Sequence, residues 1–118
     1  MTEADLSKKL VLALKKRMPG SVVFKHNDRI TAGIPDISVT WGNCTVWIEV
    51  KTGRYPVSAI QQYILNRMRD VAIVVRYTKH KGGRTTQLFT GPTQVWVPLW
   101  NHDAIADHVA RHMEALNG

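Results

Sequence analysis

The stretch VAIVVRY, Val71 to Tyr77, restricts the fold of this chain more than any other: it is a run of strand length, rich in β-branched residues and too short to cross a bilayer. A strand apolar on successive residues has no face to offer to water, so both faces need cover, as in the inner strand of an α/β sheet. After Gly53 and Pro56, Ile60, Ile64 and Met68 recur at helical spacing through about Arg69. A strand-to-helix-to-strand crossover ending on the apolar run is the expectation.

Upstream, DISVTW and TVWIEVKT are separated by Gly42-Asn43-Cys44, a connection of the length and composition that joins antiparallel strands. Before them, SVVFKHN has strand character, and DRITAG is a loop in which Gly33 and Pro35 punctuate the chain ahead of Asp36. Leu6, Leu10, Leu14 and Met18 recur every four residues, and Pro19-Gly20 stops the run, so a first helix covers about residues 3 to 18. Past Tyr77, KHKGGRTT is a basic loop, QLFT and QVWVPL are weaker strand candidates, and Asn101 caps a last helix carrying Ile105, Val109, Met113 and Leu116. The order is α-β-β-β-α-β with a β-α tail: one α/β domain over residues 1–118, a mixed central sheet flanked by helices.

A chain of 118 residues buries roughly two-thirds of its unfolded surface and needs no metal or disulfide to fold. Sixteen Lys and Arg against nine acids, a net charge of +7, favour a polyanionic partner, nucleic acid first; a basic surface kept for solubility is the plainer reading. Cys44 is the only cysteine, MTEADLSKKL contains nothing like a secretory signal, and no run of about eighteen apolar residues exists. The expected setting is the reducing cytoplasm, with partners taken from solution and no membrane.

On the strand WIEVK, Glu49 and Lys51 project from one face while Ile48 and Val50 go to the other. Asp36 opens the preceding strand directly after Gly33-Ile34-Pro35, and a hairpin would bring it toward Glu49. Paired carboxylates suit a hard divalent cation such as Mg²⁺, which takes oxygen ligands, polarises a phosphodiester and lowers the pKa of a bound water beside Lys51. The plainer reading is a cross-strand ion pair between Glu49 and Lys51, worth at most about 1 kcal/mol, with Asp36 serving a turn. GIPD upstream, the strand-loop-strand context, the following helix and the positive charge together favour the site.

Pro35-Asp36, then Glu49-Val50-Lys51 a strand's length later within an α-β-β-β-α-β order, resembles the PD-(D/E)xK nuclease superfamily with its restriction-endonuclease-like core. More narrowly, GIPDI, IEVKTGR and SAIQ look like the stand-alone virus-type replication-repair nuclease (VRR-NUC) domain; the likeness covers roughly residues 3 to 77. It implies that Asp36, Glu49 and the Val50 carbonyl ligate Mg²⁺ or Mn²⁺, that Lys51 acts on the attacking water, and that Gln61 supports the site. It further implies an endodeoxyribonuclease, a homodimer acting on branched DNA such as a four-way (Holliday) junction, in a bacterial or phage-infected cell and without a small-molecule cofactor. A flap or single-strand nuclease and a non-catalytic nucleic-acid-binding domain stand as alternatives.

Several further residues have two readings each. Ser58-Ala59-Ile60-Gln61 fits a capping box, so Gln61 serves either helix or site. Glu3 falls within the Leu6, Leu10, Leu14 stripe and would face the site as a further metal ligand, although an acid there also suits the helix dipole. Lys25, His26, Arg54 and the loop cations Lys79, Lys81 and Arg84 are candidate DNA contacts, or solvated charges. His108 and His112 have zinc-like spacing but no evident third ligand, and Trp47, Trp96, Val97 and Trp100 suit either a dimer surface or the core.

Overall fold

The N-terminal leucine stripe is the seam on which the fold is built. In the computed structural model, which describes residues 2–26, 33–52, 57–78, 84–87, 93–98 and 101–118 (backbone alone at 78, 84–87 and 93–98), helix α1 spans Glu3–Arg17. Thr2 caps it, its hydroxyl accepting from Asp5 N at 3.1 Å while the Asp5 carboxylate accepts from Thr2 N at 3.0 Å. Leu6, Leu10, Leu14 and Met18 are all fully buried, as their spacing requires.

Strands β1 (Val22–Lys25), β2 (Ile37–Trp41) and β3 (Cys44–Thr52) form an antiparallel meander. The expected hairpin is present with a tighter turn: Trp41 pairs with Cys44, leaving Gly42 and Asn43 between them. Gly42 has φ +63°, and glycine at the first position of a two-residue hairpin turn supplies that left-handed backbone without strain. Helix α2 (Ala59–Met68) and a 3₁₀ turn (Arg69–Val71) then carry the chain over to β4 (Ala72–Thr78), parallel to β3.

The tail differs from expectation. Residues 79–86 read as a basic loop, yet Arg84–Gln87 form strand β5, antiparallel to β6 (Thr93–Pro98), which is itself parallel to β4. Two β-branched threonines here pair with an otherwise open sheet edge, and that outweighs the loop-like composition. The result is one mixed six-stranded sheet, ordered β1-β2-β3-β4-β6-β5.

Helix α3 (His102–Asn117), capped by Asn101, packs beside α1 on one face of the sheet. Ile105, Val109 and Met113 join the α1 stripe and Val39, Ile48, Val50, Ile73, Val75 and Tyr77 in the main core. On the other face α2 covers only part of the sheet, where Leu65 lies over Ala72 and Val74. Strand β4 is thus covered on both faces, as its composition demands. The buried residue of α2 is Leu65, whereas Ile60 is exposed and Ile64 and Met68 are half-buried, because the first two pack toward the loop at Gly33. Among the described residues no helix is long and apolar enough to cross a membrane.

Candidate active site

Strand β3 has nine residues and its antiparallel neighbour β2 only five, so pairing between them stops at Ile37 and Ile48. Beyond that point the β3 edge has amide groups with no strand to meet, and buried amides need a partner. Two carboxylates take them. Asp36, the residue before β2, accepts from Val50 N at 2.9 Å, and Glu3, reaching from the first turn of α1, accepts from Thr52 N at 2.9 Å and from its hydroxyl at 3.3 Å. In an antiparallel ladder the N–H and C=O of one residue point to the same neighbour, so the Val50 carbonyl is directed to the Asp36 side.

Glu49 and Lys51 project from the sheet face that α2 partly covers, in register with Val74 and Arg76 of β4. The Lys51 ammonium lies 3.5 Å from Glu49 Oε2. Glu49 is almost wholly buried, and its other oxygen, Oε1, has no hydrogen-bond donor among the described residues. Burial above all, and then the neighbouring Asp36 carboxylate, push its pKa up to about 8 against the pull of Lys51. A buried carboxylate with an unused oxygen beside a second carboxylate is a group short of a cation or a proton, and these hard oxygen donors match what Mg²⁺ or Mn²⁺ takes.

The loop that delivers Asp36 is fixed from below by α2. Gly33 has φ +86°, and a Cβ there would stand 2.7 Å from Ile64 Cδ1 and 3.2 Å from the Ile60 carbonyl oxygen. Glycine is required twice over, by backbone conformation and by space.

Other site candidates fall differently. Gln61, the third residue of α2, closes its capping box: its Oε1 accepts from Ser58 N at 3.0 Å and its backbone N–H donates to Ser58 Oγ at 3.2 Å. Its side-chain oxygen is therefore committed to the helix start. Glu3 comes to the same end of β3 as Asp36 but turns its carboxylate to Thr52, and among the described residues no three of His, Cys, Asp and Glu gather as an ion-binding group.

Lys25 and His26 separate by strand alternation. Lys25 pairs with Ile37 and faces the α1 side, while His26, whose N–H donates to the Asp36 carbonyl at 2.7 Å, lies on the carboxylate face. Its Nε2 is 2.8 Å from the buried Ser38 hydroxyl, and its ring stacks on Trp47, centroids 5.2 Å apart. Arg54, Lys79, Lys81 and Trp100 lie outside the described residues, as do the side chains of Arg84, Trp96 and Val97.

His112 Nε2 donates to the Asp70 carbonyl at 2.6 Å, and burial holds His108 below the usual histidine range. Two features of the site carry no motif: the Ser38 hydroxyl beneath His26, and the exposed Phe24 ring next to it. Their only sequence signal is period-two alternation along β1 and β2, which says which side they take but not what they stand beside.

No protein-family model matches the chain, and no curated protein or solved structure matches it either.

Proposed function

We propose that the chain is a divalent-metal-dependent endodeoxyribonuclease of the PD-(D/E)xK kind, its α/β sheet being a restriction-endonuclease-like core related to the VRR-NUC domain. The observation that carries this reading is the buried Glu49 carboxylate beside Asp36, its Oε1 without a hydrogen-bond donor among the described residues and its Oε2 3.5 Å from the Lys51 ammonium. An ordinary surface ion pair would be solvated and would leave no oxygen orphaned.

Asp36, Glu49 and the Val50 carbonyl would hold the ion. When bound, Mg²⁺ or Mn²⁺ supplies Lewis acidity toward the phosphodiester and lowers the pKa of a coordinated water. The chain's own residues do the rest. Lys51 donates hydrogen bonds that orient the attacking water and offset charge developing on the phosphoryl oxygens. The water oxygen attacks phosphorus, one P–O ester bond breaks, and the departing oxygen takes a proton, giving a phosphate monoester and a free hydroxyl. Glu3 and Asp36 brace the open β3 edge, keeping Glu49 and Lys51 in place. Gln61 acts by starting α2, which packs under the Gly33 loop.

The net charge of +7 suits a phosphate backbone. By the same resemblance the enzyme is a homodimer cutting branched DNA, since two-fold symmetry matches a four-way junction with two strands to cut. The test is labelled four-way junction, flap, single-stranded and linear duplex DNA incubated with Mg²⁺, Mn²⁺ or EDTA, using wild type, Asp36→Asn and Glu49→Gln. Paired symmetric cuts in the junction, absent in EDTA and in both variants, are expected. Cleavage of other substrates with the same dependence keeps the nuclease and removes the junction; binding without cleavage under either metal leaves a binding module.

A further inference from the structure

Helix α2 covers the β3–β4 part of its sheet face, through Leu65 over Ala72 and Val74, whereas the β1–β2 part of that face presents aromatic rings. Phe24 and Val22 of β1 are 59% and 49% exposed, the His26 ring stacks on Trp47 at a centroid distance of 5.2 Å and an interplanar angle of 28°, and Phe24 flanks His26 at 6.4 Å. The strand registers align these rings across the sheet: Phe24 pairs with Ser38, Ser38 pairs with Trp47, and Trp47 is two residues before Glu49 on the same face of β3. One such step is about 6.8 Å along a strand. The rings therefore adjoin the carboxylate pair, and His26 is joined to Asp36 directly through its backbone N–H.

We infer that Phe24, His26 and Trp47 form a stacking platform for unpaired nucleobases of the strand whose phosphate reaches Asp36 and Glu49. This rests on the nucleic-acid part of the proposed function and narrows its substrate to DNA whose nucleotides are unpaired, or opened at a branch point, next to the cut. A base in a duplex has its faces covered by its neighbours, whereas an unpaired base offers a π-face of any sequence to an aromatic side chain. Phosphates on either side meet a chain of net charge +7. Hydroxyls are interspersed with the rings: Ser38 bonds His26, and Thr40 bonds Thr45 at 2.8 Å. A mixed surface of rings and hydroxyls continuous with a phosphate site fits a nucleotide better than the apolar centre of a protein interface.

Fluorescence anisotropy in EDTA, where no cleavage occurs, tests the platform on labelled oligothymidylate, the same oligomer carrying abasic residues, and a hairpin duplex. The expected result is tighter binding of oligothymidylate than of the abasic oligomer, and a roughly 10- to 100-fold loss of oligothymidylate affinity in the Phe24→Ala, Trp47→Ala double variant. Hairpin affinity stays unchanged and Phe24→Trp retains binding. If the double variant does not fold, Phe24→Ala alone and the abasic comparison on wild type decide the matter, since Phe24 is mostly solvated.

Equal affinity for the abasic and intact oligomers, or for variant and wild type, overturns the platform. So does self-association that sedimentation shows to depend on Phe24 while DNA affinity does not, which would make the patch a contact between copies. The nuclease reading fails separately: tight oligothymidylate binding by wild type with no metal-dependent cutting removes catalysis and keeps the platform.

Discussion

Asp36 accepts a hydrogen bond from the backbone N–H of Val50 at 2.9 Å, so the acid that opens one strand finishes the unpaired edge of the next. The bond is charge-assisted, and losing its acceptor would leave a buried amide unsatisfied. Asp36→Ala should cost about 1.5–3 kcal/mol in chemical denaturation. Asp36→Asn keeps an acceptor and should cost much less, while abolishing metal-dependent cleavage as completely as alanine does. Equal stability of the two variants would remove the hydrogen bond from the account.

Glu49 holds its proton more tightly in the folded chain, with a pKa of about 8 against 4.5 for an ordinary glutamate. Its protonation thus stabilises the metal-free fold fully below pH 4.5, and that contribution is lost as pH rises through 8. In EDTA, wild type should lose stability over that window relative to Glu49→Gln, and Mg²⁺ added near the upper end should restore wild type alone. Parallel pH profiles for the two proteins would show that Glu49 is not held in a desolvated site.

Gly33→Ala should destabilise by at least the roughly 1–2 kcal/mol of left-handed backbone strain. The new methyl also meets Ile64 Cδ1 and the Ile60 carbonyl. Since the loop leads into Asp36, cleavage per folded molecule should fall as well. Ile64→Ala in the same chain should recover part of both losses, and a double-mutant cycle measures that coupling.

Gln61→Ala removes half of a capping box and should cost about 1 kcal/mol. Gln61→Glu keeps the acceptor and should be tolerated. With the side chain committed to Ser58, the Mg²⁺ dependence of cleavage should not shift in either variant; a shift would make Gln61 a direct participant.

Glu3→Gln keeps an oxygen for Thr52 but loses the charge, so a loss of about 1 kcal/mol is expected, with half-saturating Mg²⁺ unchanged. A marked rise in the Mg²⁺ requirement would mean that the carboxylate leaves Thr52 to join Asp36 and Glu49.

What could be read from the chain alone was whatever depends on near neighbours. A four-residue period placed the α1 stripe, a two-residue period put Glu49 and Lys51 on one face, and Ser58 with Gln61, three apart, spelled a capping box. The apolar run of β4 demanded cover on both faces whatever its partners. Tertiary structure decided the rest, because the causes lie far apart in sequence. That Val50 and Thr52 present open amides follows from the unequal lengths of β2 and β3, and that Glu3 reaches one of them follows from how α1 docks, 49 residues away. Strand β5 exists because β6 offered an edge, against the loop-like composition of its own residues. The rings of Phe24, His26 and Trp47 are brought beside the carboxylates by the order β1-β2-β3, and the Glu49 oxygen that has no donor among the described residues is cut off from water only by tertiary burial. Alternation sets the side that a residue takes; only packing sets its neighbours, its exclusion from water and hence its charge.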